Sequence, residues 1–266
     1  MALRTILILG CGNMGGAMLA GWLAGGVDPA RITVVDPFLA EAPAGVRLLR
    51  ALPDERFDAV LLGVKPQMLD DVAAGLAPRL DAGTTLLSIL AGVELSSLAA
   101  RFGSAGALVR VMPNLAAAIG KSPIALFGTG LGDAGRGAVT ALMEPLGPVE
   151  WLALEGDFDL VTALSGSGPG FVYRFIEALA EGAASLGLDP AQAQRLAVAT
   201  VEGAAQLAAA SPHGPAELAR RVASPGGSTQ KGLDVLDADD ALKALVTATL
   251  RAARDRNAEM AAAARG

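Results

Sequence analysis

Gly10-Cys11-Gly12-Asn13-Met14-Gly15 follows directly on the apolar run Thr5-Ile6-Leu7-Ile8-Leu9 and precedes the helical pattern Met14–Leu23. In that context each glycine has a use. The first allows a tight turn, the second lets the backbone approach a pyrophosphate, and the third lets helix and strand pack closely. The helix amino terminus adds unpaired N–H groups and a favourable field for negative charge. The chemistry implied is the binding of a dinucleotide. Far along the chain, Ser224-Pro225-Gly226-Gly227-Ser228-Thr229 leads into a second helical run, Gln230–Leu236. There, free backbone N–H groups and two hydroxyls would face an anion. No Lys or Arg is built into this turn, so a carboxylate suits it better than a phosphate. A cofactor turn and a carboxylate turn in one chain point to hydride chemistry on a small acid.

Other residues fall at positions where an α/β sheet binds ligands. Asp36 ends the second apolar run, about 20 residues beyond Gly15, where an acid hydrogen-bonds the adenosine ribose and repels a 2′-phosphate. Pro37 and Phe38 follow, with no adjacent Arg in sequence. This favours NADH, although an Asp-Pro pair also starts ordinary turns. Val64-Lys65-Pro66-Gln67 follows the third strand, and Lys65 either faces the cofactor or is solvated. Asn114, in Met112-Pro113-Asn114, offers a donor and an acceptor that suit a carboxamide such as that of nicotinamide, or else caps a turn. Ser165-Gly166-Ser167-Gly168-Pro169 interrupts a helical pattern, where a kink either frees backbone groups for a ligand or lets another helix approach.

These positions need a scaffold. Short β-branched or aliphatic runs at Thr5–Leu9, Arg31–Val35, Ala59–Val64, Thr84–Ile89 and Leu108–Met112 alternate with Ala/Leu-rich helical stretches, and Ile124–Phe127 and Val149–Leu152 extend the series. Such continuous apolar strands predict a mostly parallel sheet of Rossmann type covered on both faces. After Asp157 strand signals stop. Helical patterns cover Leu160–Leu186, Pro190–Ala210, Pro215–Ala223 and Ala238–Ala264. The expected division is a dinucleotide-binding domain over 1–157 and an all-helical substrate and dimerisation domain over 158–266. Leu160–Leu186 is too apolar and too rich in small residues for a lone surface helix, which predicts that a second subunit covers it.

Composition limits the alternatives. The 266 residues carry a net charge of −6 with no basic, aromatic-interleaved patch, so nucleic acid is not an expected partner. One cysteine and one histidine argue against a zinc site, and no metal is expected. The lone Cys11 forms no intrachain disulfide, no run approaches a membrane span, and the start lacks a signal-peptide pattern. A cytoplasmic location is expected. His213, in Ser211-Pro212-His213-Gly214-Pro215, has no catalytic partners. The hydride chemistry would therefore run with little acid–base machinery, as with a substrate that arrives already protonated, such as an iminium.

Together, Gly10–Gly15, Val64-Lys65-Pro66, Val111-Met112-Pro113-Asn114, Leu164-Ser165-Gly166-Ser167-Gly168-Pro169 and Ser224–Thr229 resemble the pyrroline-5-carboxylate reductase family over almost the whole chain. The resemblance implies NADPH or NADH as cofactor, 1-pyrroline-5-carboxylate as substrate and L-proline as product. It implies active sites near a dimer interface and dimers that assemble into decamers. Cofactor contacts would come from Leu9, Gly10, Cys11, Gly12, Asn13 and Met14, from Gly63, Val64, Lys65 and Pro66, and from Ile89 to Ala91, with Gly15, Asp36 and Asn114 added from the reading above. The substrate would be held by Ser167, Gly168 and Pro169 and, at its carboxylate, by Gly226, Gly227, Ser228 and Thr229. Thr229 matches the family's threonine beside the ring nitrogen, which makes Thr229 and Ser228 the candidate catalytic pair. The chain departs from the family pattern at Leu90, Leu115 and Phe171. The family usually prefers NADPH, against the reading of Asp36. Two alternatives remain: a reductase of another cyclic imine or small acid, and a non-catalytic NAD(P)-binding regulator. The 3-hydroxy-acid enzymes use a helical-domain Lys, and residues 158–230 contain none.

Overall fold

The computed structural model describes residues 3–265. Its strands are β1 (Ile6–Leu9), β2 (Ile32–Val35), β3 (Arg47–Leu49), β4 (Ala59–Leu62), β5 (Thr85–Ser88), β6 (Ala107–Met112), β7 (Ile124–Thr129) and β8 (Val149–Trp151). They form one sheet in the order β3-β2-β1-β4-β5-β6-β7-β8. The first six pair in parallel, β7 runs antiparallel to β6, and β8 runs parallel to β7. The expectation of a mostly parallel Rossmann-type sheet is met.

The sheet is buried on both faces, which is why its strands read as unbroken apolar runs. Side chains alternate between two cores. Ile6 and Ile8 join Met18, Leu19 and Trp22 of α1 (Asn13–Ala24) and Leu142 and Met143 of α4 (Asp133–Met143). Leu7 and Leu9 join Leu69 and Leu76 of α2 (Leu69–Leu76) and Leu95, Leu98 and Phe102 of α3 (Leu95–Phe102). The strand missed in sequence, β3, has only three residues and lies at the sheet's edge, with Arg47 exposed. So short a run carries no pattern of its own. Its parallel register on β2, Val34↔Leu48 and Val35↔Leu49, defines it.

The described residues form two compact units, 3–166 with 253–265, and Ser167–Ala252. The second holds α6 (Gly168–Ser185), α7 (Pro190–Ala210), α8 (Pro215–Val222), α9 (Ser228–Asp237) and the start of α10 (Ala241–Arg265). Asp189 caps α7, its side chain accepting the Gln192 N–H at 2.9 Å, with Pro190 in the first turn. The pattern expected as one helix over Leu160–Leu186 is broken. A single turn, α5 (Phe158–Val161), runs into a π-turn at Thr162–Gly166, and α6 starts afresh at Gly168. The hydroxyls of Thr162 and Ser165 donate to the carbonyls of Phe158 and Val161, four residues back. Such back-bonding competes with the helical ladder and loosens it. α6 has no buried residue in the isolated chain, and Tyr173 (68% exposed), Phe175 and Leu179 stand open.

Trp22 is fully buried, and its indole N–H donates to the Leu142 carbonyl at 2.7 Å, pinning α1 to α4. Trp22→Ala removes the ring and leaves that carbonyl without its donor. A loss of about 3–5 kcal/mol is expected, read as a Tm lowered by more than about 5 °C in calorimetry. An unchanged Tm would contradict this packing.

Candidate functional site

The parallel register sets Leu9, Val35, Leu62, Ser88 and Arg110 in one row across the sheet. The residues that follow them therefore gather at one edge: Gly10, Asp36, Gly63, Ile89 and Val111. Ligands bind at that carboxyl edge in folds of this kind.

The turn after β1 is built by close backbone approach. Gly10 has φ +88°, and a Cβ there would lie 2.9 Å from the Gly63 carbonyl carbon. A Cβ on Gly63 would lie 2.4 Å from the Gly10 carbonyl oxygen, and one on Gly15 would lie 2.6 Å from the same oxygen. Backbone bonds close the arrangement: the Gly10 N–H donates to Val35 at 2.9 Å and the Gly63 N–H to Leu9 at 2.8 Å. Gly12 differs, because a Cβ there would meet nothing within 4 Å. Gly12 is also the cap residue of α1, and no side chain caps that helix. The amino-terminal N–H groups of α1 and the open space at Gly12 fit a pyrophosphate.

Asp36 ties this turn to the end of β2. Its Oδ2 accepts the Cys11 N–H at 2.8 Å, and its Oδ1 accepts the N–H groups of Phe38 at 2.8 Å and Leu39 at 3.0 Å. Burial works to raise the carboxyl's pKa, but the N–H groups of Cys11, Phe38 and Leu39, with the Arg50 guanidinium nearby, hold it below the ordinary carboxylate range. Asp36 is therefore charged at neutral pH, and it also performs the turn-starting role left open by the sequence. Burial and the Asp36 charge push the Cys11 thiol up to about 11, so it stays protonated and unreactive.

No Arg adjoins Asp36 in sequence, but the structure brings one to its loop. Arg50 follows β3, and its guanidinium donates to the carbonyls of Asp36 (2.9 Å), Leu39 and Ala40. The miss followed from missing β3, whose pairing carries Arg50 to this loop. The guanidinium binds the loop's carbonyls and braces it.

Val64 lies against Gly10, and exposed Lys65 precedes the single turn Pro66–Met68. Ala91 is exposed, ahead of Gly92 with φ +74°. Leu90 is buried in the core on the α2–α3 side, so this departure from the family pattern is a packing substitution. Leu115 is exposed and Phe171 half-buried. Asn114 is buried, and both ends of its amide are engaged. Oδ1 accepts the Ala116 N–H at 2.9 Å, and Nδ2 donates to the Ser165 carbonyl at 2.9 Å. Of the two roles open to Asn114, the structure displays turn capping.

Sequence reasoning missed a buried ion pair one residue before Val111. Arg110 Nη1 lies 2.8 Å from Glu155 Oε1, with the arginine side chain only 6% exposed. The guanidinium also stands 4.0 Å from the Phe158 ring centroid. The same Oε1 accepts the Leu95 N–H at 2.8 Å. One carboxylate thus joins β6, α3 and the 155–158 connection.

In the second unit, the Ser224–Thr229 turn has the expected form. Gly226 has φ +74°, the Gly227 N–H donates to Ser224 at 2.9 Å, and Gly227 is the cap residue of α9. No side chain caps this helix, and Ser228 and Thr229 are exposed in its first turn. The start of α6 also lacks a side-chain cap, with Ser167, Gly168 and Pro169 half-buried at its first turn. His213 sits in a surface loop, its N–H on the Ser211 hydroxyl. Among the described residues no group of three His, Cys, Asp or Glu side chains could hold a metal ion.

Known proteins resemble this chain from end to end. The family model for pyrroline-5-carboxylate reductase dimerisation matches residues 155–260, and that for NADP oxidoreductase, coenzyme F420-dependent, matches residues 5–92. The pyrroline-5-carboxylate reductase of Pseudomonas aeruginosa is 35% identical, over 98% of each chain. A solved pyrroline-5-carboxylate reductase structure from Coxiella burnetii is 30% identical, with TM-score 0.89 over 97% of this chain and 98% of that one. The pyrroline carboxylate reductase of Plasmodium falciparum with NADP bound, 24% identical, shares the fold at TM-score 0.84 over 98% and 99% of the two chains.

Gly12→Val separates folding from binding. A Cβ at Gly12 has open space within 4 Å, so Tm should stay within about 2 °C of the parent, while calorimetry should show dinucleotide affinity lowered at least about tenfold. Retained affinity would remove the turn from the site.

Proposed function

The chain belongs to the pyrroline-5-carboxylate reductase family, and on that premise we propose how its residues reduce 1-pyrroline-5-carboxylate to L-proline with NAD(P)H, the last step of proline biosynthesis. The carrying observation is the pair of uncapped helix starts, one at the Gly10–Gly15 turn and one at Gly227–Thr229. The first binds the cofactor's pyrophosphate. The second receives the substrate carboxylate on the N–H groups and hydroxyls of Ser228 and Thr229.

In this reading residues 1–157 bind the cofactor and 158–266 serve substrate and dimerisation. Leu9 to Gly15, Asp36, Val64 to Pro66 and Ala91 line the cofactor, whereas the amide of Asn114, first read as a partner for nicotinamide, is taken up by Ala116 and Ser165. Gly226, Gly227 and Ser167 to Pro169 help seat the substrate. The bound dinucleotide supplies the hydride. The chain's own residues position the imine carbon and exclude water. The Thr229 hydroxyl oxygen accepts the iminium N–H and so orients the ring, with Ser228 beside it. The substrate arrives as an iminium, so no strong acid is needed, and residues 224–229 themselves carry no titratable side chain.

The chain self-associates through its dimerisation region, and the open apolar side chains of α6 support burial there by a second copy. Assembly of dimers into decamers and a cytoplasmic location complete the reading. No helix among the described residues is long and apolar enough to cross a membrane, and the net charge of −6 disfavours nucleic acid.

The charge of Asp36 supports NADH. A 2′-phosphate would meet a carboxylate, while Arg50 is already engaged by three carbonyls. Steady-state assays with both cofactors should give the higher kcat/KM for NADH, and a large advantage for NADPH would refute this use of Asp36. Thr229→Ala should lower kcat/KM for the pyrroline about tenfold, the scale of one hydrogen bond to a charged group, and leave the cofactor dissociation constant unchanged. Parent-like turnover and affinity would end its assigned role.

A further inference from the structure

Asn114 occupies a position where an amide could have served the nicotinamide, yet its hydrogen bonds point elsewhere. A backbone N–H at Ala116 must meet an acceptor and the carbonyl of Ser165 must meet a donor, so the two partners together set the orientation of the amide. The Asn114 backbone N–H is held too, at 2.8 Å, by the fully buried Ser122 hydroxyl. The asparagine is thus immobilised at the end of β6 and reaches across 51 residues of chain to a single carbonyl.

That carbonyl lies in the Thr162–Gly166 π-turn, where the regular ladder is interrupted. A carbonyl in such a place needs a donor from outside the helix. The hydroxyls of Thr162 and Ser165 both bond backward along the segment. Met112 closes in from β6, since a Cβ on Gly166 would lie 3.2 Å from its sulfur. Two residues beyond Ser165, Ser167 is the cap residue of α6 and begins the Ser167-Gly168-Pro169 stretch assigned to substrate.

We propose that Asn114 is a positioning residue for substrate: its Nδ2–H···O=C bond to Ser165 sets the Thr162–Gly166 turn, and through it the Ser167–Pro169 stretch, without touching the cofactor. This rests on the function proposed above for Ser167–Pro169.

Asn114→Asp tests the bond directly. An aspartate keeps an oxygen for the Ala116 N–H but sets a second oxygen against the Ser165 carbonyl with no proton between them. Protonation restores a donor, and burial beside a carbonyl favours the neutral form. The Asp variant should lose about tenfold or more in kcat/KM for the pyrroline at pH 8, regain much of it relative to the parent near pH 5.5, and bind NAD(P)H with an unchanged dissociation constant throughout. Asn114→Ser, a competent cap too short to reach Ser165, should show the loss at both pH values. In both variants at pH 8, amide hydrogen exchange over residues 162–167 should be faster than in the parent. A variant-to-parent ratio flat with pH for the Asp variant, a parent-like Ser variant, or a cofactor affinity that falls in step with kcat/KM would each overturn the proposal. If the parent itself does not turn over the pyrroline, the functional reading fails instead. Exchange and cofactor affinity then still decide the latch, and unaltered exchange over 162–167 refutes it.

Discussion

A single carbonyl oxygen, that of Gly10, sets the geometry of the turn between β1 and α1. Gly63 and Gly15 approach it so closely that a methyl on either would overlap it, and Gly10 takes a left-handed φ to present it. Strand β1, strand β4 and helix α1 can meet at this point only as bare backbone. The meeting fixes where α1 starts, and hence where its free N–H groups point. Asp36 adds the neighbouring strand by holding the Cys11 N–H, and Arg50 braces the loop beyond. The Gly10–Gly15 turn is thus one corner of a joint among β1, β2, β4 and α1, held by close backbone contacts.

A second joint, of opposite character, lies at the far side of the same edge. The Arg110–Glu155 pair is charged and largely removed from water, and such pairs add little net stability because desolvation offsets their attraction. Breaking one is costly, since the remaining charge is stranded. Glu155 also holds the Leu95 N–H, and the Phe158 ring covers the guanidinium. The arrangement therefore selects one path for the chain leaving β8 and delivers residues 158–166 to the place where Asn114 meets Ser165.

Much of this was legible from residue patterns. Strands buried on both faces announce themselves as unbroken aliphatic runs, and glycine spacing next to them marks the phosphate turn. The Ser224–Thr229 turn was legible for a similar reason, because helix starts are set by local chemistry. Three features were not. β3 and Arg50 depend on pairing with a strand distant in sequence. The partners of Arg110 are 45 and 48 residues away. The bond from Asn114 to Ser165 links two motifs that each read as self-sufficient. The break at Thr162–Gly166 was half visible, since Gly166 and Pro169 signalled a disruption while the back-bonding hydroxyls that shape it did not. In the first three the deciding energy is a contact between separate segments, and one sequence window does not contain it.

The carboxyl-terminal part of α10 returns to the first unit. Ala261 is buried against Gly92, and the Asn257 amide donates to the Asp159 carbonyl at 3.1 Å. The helical unit, Ser167–Ala252, is therefore held at both of its ends, as an insertion rather than an appendage. In polymer terms it is a closed loop. Were it to unfold while the first unit stayed intact, its chain would explore only conformations that begin and end on that unit, and the entropy gained would be smaller than for a free tail. The docked segment 253–265 thus acts on the helical unit as a crosslink does, by limiting the disorder available to its unfolded state.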